Sequence, residues 1–106
     1  MRIRNIKMIF KDAVPEEEII LDTTMSDILK IQIEGTGSCN IKVYGQLTNS
    51  IDFSEIAIVR DVDYCLINSI LERGIYTVSI EGLNRIKIEV NSISGEITGY
   101  VSEVVF

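Results

Sequence analysis

The chain has 106 residues, enough for one domain with a single modest core. Its hydrophobic fraction of 46% and charged fraction of 25% are those of an ordinary folded soluble protein, and no apolar run nears the ~18 residues of a membrane span. A net charge of −6 with ten scattered basic residues argues against a nucleic-acid partner, since counterion release needs clustered Lys and Arg, and the absence of His removes the commonest general base and metal ligand.

Residues 1–7 are basic without an apolar h-region or a small-residue cleavage site, so no signal peptide is expected. Across 4–10, Ile6, Met8 and Phe10 share one face of an alternating strand, with Asn5 and Lys7 on the other. The segment from Pro15 to about Leu29 admits two readings. Pro15 followed by Glu16, Glu17 and Glu18 resembles a helix start. Asp22, Thr23, Thr24, Ser26 and Asp27 are weak helix formers, and a short strand at 18–21 followed by a loop is preferred.

Alternation resumes with Leu29, Ile31 and Ile33, then Ile41, Val43 and Leu47, with Gly45 marking a bulge or a close approach. Ile56 and Ile58 suggest another strand ending near Arg60. Tyr76, Val78 and Ile80 oppose Thr77, Ser79 and Glu81; Ile86, Ile88 and Val90 oppose Arg85, Lys87 and Glu89; Ile97 and Val101 share a side of the last strand. Turn chemistry at 35–38, 48–50, 82–84 and 92–95 separates these runs. The pattern predicts a single all-β domain over 1–106, an antiparallel β-sandwich or jelly roll of about seven or eight short strands. Residues 74–90 read as two half-buried strands joined by a tight turn at Gly82-Leu83-Asn84.

Little chemistry is written into these strands. Without His, no Ser–His or Cys–His pair can be built. Gly35-Thr36-Gly37 precedes a strand, not the helix N-terminus that phosphate binding uses. Asp61 and Asp63 would share a face if extended, but a solvated loop is the simpler reading over an acid pair or a calcium site. Cys39 and Cys65 admit one disulfide, with two buried thiols preferred. No cofactor or metal is expected, and no insertion into a membrane.

Tyr76 belongs with the core, whereas Tyr44 and Tyr100 oppose the core faces of their strands and are candidates for a surface-binding role. The ends are apolar on both faces: Ile3 and Ile9 lie opposite Ile6 and Met8, and the sequence finishes Val104-Val105-Phe106. Ile3, Ile9, Val104, Val105 and Phe106 are therefore candidate subunit contacts, a central strand of one sandwich being the alternative.

Ile33-Glu34-Gly35-Thr36-Gly37, Ile41-Lys42-Val43-Tyr44-Gly45, Gly74-Ile75-Tyr76-Thr77-Val78, Gly82-Leu83-Asn84-Arg85-Ile86-Lys87 and Ser94-Gly95-Glu96-Ile97-Thr98 give residues 27–101 a recognisable meander. It resembles small β-sandwich modules in virion proteins of tailed phages and prophages of Gram-positive bacteria. The chain departs from that pattern at Asp52-Phe53, where such modules carry an Asn-Trp pair. The resemblance implies a non-enzymatic particle component made in the bacterial cytoplasm: a head-decoration, neck or baseplate subunit that self-associates and docks onto other particle proteins. The alternative is a module that binds glycans or a cell surface through Tyr44 or Tyr100.

Overall fold

The computed structural model describes residues 2–11, 17–23, 25–47 and 51–106. Among them there is no helix, and eight strands form one antiparallel sheet: β1 (Arg2–Lys11), β2 (Glu17–Asp22), β3 (Ile28–Gln46), β4 (Ser54–Glu55), β5 (Ile58–Arg60), β6 (Cys65–Ile67), β7 (Gly74–Ser79) and β8 (Arg85–Val105). The all-β expectation holds, and so does the strand preferred over a helix at 18–21. Pro15, Glu16, the turn at 48–50 and the side chain of Asn5 lie outside what is described.

The spine is a two-stranded ribbon. β3 pairs with β8 from Ile28↔Val104 to Gln46↔Arg85. The four short strands expected there are thus two long ones, because the Gly- and Ser-rich breaks at 35–38 and 92–95 do not turn the chain. They lie opposite each other, with Gly35 across from Ile97 and Gly37 from Gly95. Held flat, 19 residues would span about 60 Å, yet the longest dimension of the molecule is 36 Å. The ribbon therefore bends over. Its waist is the glycine zone, where Gly35, Gly37 and Gly95 have φ of 115°, 130° and 84°, a region that side chains avoid.

Bending brings the two halves of the ribbon onto one core. Leu29, Ile31, Ile33, Ile97 and Val101 come from one half and Ile41, Val43, Ile86, Ile88 and Val90 from the other, joined by Tyr76, Val78 and Ile80. On β8 the buried positions change from even to odd numbers. Asn91 supplies the switch as an extra residue between Asn40↔Ser92 and Ile41↔Val90.

The expected hairpin over 74–90 is not one. β7 pairs with β3 at Ile28–Ile33 and with β5, whereas the start of β8 pairs with the far end of β3. The turn at Gly82-Leu83-Asn84 carries the chain between the two halves of the bent sheet, and Asn84 N–H donates to the carbonyl of Gln46 at 3.1 Å. Gly45 marks a close approach, since a Cβ there would meet Leu83 Cδ1 at 2.6 Å.

β1 and β2 run in line along the free edge of β8, β1 opposite Thr98–Val105 and β2 opposite Arg85–Val90. Two register shifts in β1, between Arg4 and Lys7 and between Met8 and Phe10, break its alternation. Ile6 and Met8 consequently do not share the buried face of Phe10, as the sequence had implied; both are exposed. Glu103 is buried, and Ser26 Oγ donates to its Oε1 at 2.7 Å while Arg4 Nη2 donates to Ser26 Oγ at 2.9 Å. A buried carboxylate needs such partners, and here they tie β1 and Ser26 to β8.

Candidate docking face

The outer face of the β1–β8–β3–β7 half follows from the registers. Met8 lies opposite Tyr100, Tyr100 opposite Gln32, and Gln32 opposite Ile75, a row across four strands. The next row holds Ser102, Lys30 and Thr77, with Val59 beyond. Ile6, displaced by the first β1 bulge, joins Tyr100, Ile75, Gln32 and Lys30 around a shallow hollow of about 230 Å³. Ile6 is 73% exposed, Met8 54% and Ile75 48%, while Tyr100 is half-buried beside them. Ile3, in register with Val104, extends the apolar surface along β1.

Lys30 and Thr77 anchor the polar side of this face. Lys30 Nζ donates to Asp61 Oδ2 and to Thr77 Oγ1, each at 2.7 Å, and Thr77 Oγ1 donates to Asp61 Oδ1 at 2.6 Å. Burial pushes the Asp61 carboxyl up, but the bonds from Lys30 and Thr77 outweigh it and hold the group below its ordinary value. Asp63 takes a different partner. Arg60 Nη2 donates to it at 2.7 Å, and this bond, aided by the Cys65 N–H, holds the Asp63 carboxyl down at about 2. The two carboxylates thus engage different cations and do not converge on a reacting centre.

Of the candidate subunit contacts, Ile3 and Phe106 are exposed and Val105 is half-buried. Ile9 is half-buried and packs against the core, and Val104 is buried within its own chain. Tyr100 belongs to the outer face, but Tyr44 lies on the other half of the ribbon. Lys87 Nζ sits 4.7 Å from the Tyr44 ring centre and 5.2 Å from that of Phe53, with Glu18 and Glu89 each 3.8 Å from the ammonium. One face of the Tyr44 ring is therefore taken by a cation, and the two tyrosines do not form one platform.

A wider hollow of about 650 Å³ beside β5 and β6 is lined by Arg60, Asn68, Glu72 and Tyr76 among others, and none of the candidate residues borders it. Two of its polar groups are engaged internally: Arg60 with Asp63, and the Tyr76 hydroxyl donating to the Glu72 carbonyl at 2.7 Å. Among the described residues no group of three or more His, Cys, Asp or Glu could hold a metal ion.

Sequence reading missed Ile6, Met8 and Ile75 as surface residues. Ile75 was discernible as an apolar residue on the polar side of its strand. Ile6 and Met8 were hidden by alternation that bulges undo. The density of Arg2, Arg4, Lys7 and Lys11 was the signal that β1 is an edge strand.

No family model and no curated protein sequence matches the chain. Two solved structures share its fold. The SPBc2 prophage-derived protein YomS superposes with a TM-score of 0.81 at 21% identity, over 97% of this chain and 95% of that one. The PBSX exported protein XepA superposes with a TM-score of 0.84 at 19% identity, over 96% of this chain; the match spans only 37% of XepA.

Proposed function

We propose that this chain is a non-enzymatic structural component of a phage or phage-tail-like particle, a head-decoration, neck or baseplate subunit. It acts by self-association and by docking onto other particle proteins. The observation that carries this reading is the likeness, over almost the whole of both chains, to a prophage-derived protein. The likeness of 96% of this chain to part of a PBSX exported protein supports a virion or extracellular location. The outer face supports the mode of action. Ile6, Met8 and Ile75 leave large apolar surface in water beside Tyr100, and covering such side chains contributes up to about 1.5–3 kcal/mol each.

The test is to induce the host that encodes the chain, band the released particles on a density gradient and count copies of the chain per particle by quantitative mass spectrometry. A fixed copy number in the particle band is expected, lowered at least about tenfold by Ile6→Asp with Ile75→Asp, a loss of at least about 1.4 kcal/mol. A chain found wholly at the top of the gradient, with intact particles below, overturns the proposal.

A further inference from the structure

β1 and β2 are both edge strands, and their charges are opposite. Four of the chain's ten basic residues, Arg2, Arg4, Lys7 and Lys11, stand in β1, which holds none of its sixteen acidic ones. β2 carries Glu17, Glu18 and Asp22 and no cation. The two strands run in the same chain direction along the same edge of β8, and among the described residues neither pairs with any strand but β8. Because the ribbon bends at its waist, one strand edges each half of the folded sheet.

Charged side chains on an edge normally guard against indiscriminate pairing. Here the sign pattern leaves one pairing open. β1 against β1 of a second copy sets cations against cations, and β2 against β2 sets carboxylates against carboxylates; both are repulsive. β1 against β2 is attractive. A two-fold axis along the strand direction, between the halves of the sheet, brings β1 of each copy antiparallel to β2 of the other at once and continues both halves of the sheet across the contact. We infer that a second copy of this chain adds edge to edge along β8's free side, the basic β1 of each copy pairing with the acidic β2 of its partner. The inference rests on the self-association in the proposed function and names the surface that performs it.

Charge reversal tests it. Arg2→Glu with Lys7→Glu and Lys11→Glu leaves Arg4 as the one cation of β1 and makes both edges net acidic, and Glu17→Lys with Glu18→Lys makes both net basic. Sedimentation of the wild-type chain should give a dimer that weakens as ionic strength rises from about 0.05 to 0.5 M. Each reversed variant should associate roughly a hundredfold more weakly, through repulsion at both contacts. An equimolar mixture of the two should restore a heterodimer, which also proves both are folded. A wild-type chain monomeric at roughly 1 mM, reversed variants that still dimerise, or natively folded variants that fail to recombine would each overturn the inference. Dimers dispersed by Ile6→Asp with Ile75→Asp but not by charge reversal would move self-association to the outer face, leaving the proposed function standing. Edge-paired dimers absent from particles would do the reverse.

Discussion

The ring of Phe10 fills the space that a side chain at position 99 would need. Phe10 on β1 lies directly opposite Gly99 on β8, and a Cβ at 99 would stand 2.5 Å from ring atom Cε1. Gly99→Ala should therefore destabilise the fold by about 1–3 kcal/mol, as overpacking does. Adding Phe10→Leu should recover part of that loss. A double-mutant cycle in urea giving strictly additive effects would show that the two positions do not compete for space.

The waist sets a second comparison, between two glycines that share left-handed geometry. Gly37 has φ of 130°, and an added Cβ would run into the Ser94 carbonyl across the ribbon. Gly82 has φ of 85° at an exposed turn, with nothing within 4 Å of an added Cβ. Gly82→Ala bears only the conformational penalty, about 1 kcal/mol. Gly37→Ala adds a backbone collision in the ribbon that joins both halves of the core, and should lose several times as much, roughly 3 kcal/mol or more. Equal midpoints in urea for the two variants would remove the waist's special role.

These glycines also mark how far the sequence was legible. Period-two alternation gave the all-β class and nearly every core position from Leu29 to Val101, because a half-buried strand must place every second side chain in the core. It could not say where a strand ends. Gly35-Thr36-Gly37-Ser38 has the composition of a turn, and only its pairing with 94–97 makes it the waist of a longer strand. The same local grammar serves a reversal and a bend. Gly82-Leu83-Asn84 is a genuine turn, yet it joins strands that do not pair, a property of the whole sheet. On the outer face, Tyr100 was legible from parity, whereas Ile6 and Met8 were not, since a bulge leaves no mark in the alternation of one strand.

The cysteines give a chemical readout of the same packing. Cys39 is buried in the core and Cys65 exposed on edge strand β6, both as free thiols, which corrects the expectation that both are buried. Burial pushes the Cys39 thiol up to about 11, leaving little thiolate at neutral pH. Under native conditions a thiol reagent should label one cysteine per chain quickly, mapped to Cys65 by peptide mass. The second should react only as the chain unfolds, at a rate that rises with denaturant. Two fast equivalents would contradict the burial of Cys39.

The Lys30–Asp61–Thr77 triangle predicts a pH signature. Its hydrogen bonds close on the Asp61 carboxylate from β3 and β7, tying the loop after β5 to the sheet. Replacing the carboxylate by Asp61→Asn at neutral pH should cost about 1–2 kcal/mol, the range for hydrogen bonds to a charged group at a partly exposed site. The sign of the pH dependence follows from the direction of the shift. The folded carboxyl titrates below its ordinary value of 3.8, so the unfolded chain takes up the proton first as acid is added. The stabilisation is therefore complete above that ordinary value and drains away as pH falls through the lower, folded one. Wild type and Asp61→Asn should differ in urea midpoint at pH 7 and converge at the acid end of that window. Lys30→Met should narrow the gap by removing the cation that, with Thr77, holds the carboxylate ionised. A gap between wild type and Asp61→Asn that persists unchanged into acid would mean that the triangle's contribution does not depend on the charge of Asp61, and that the loop is held to the sheet by packing instead.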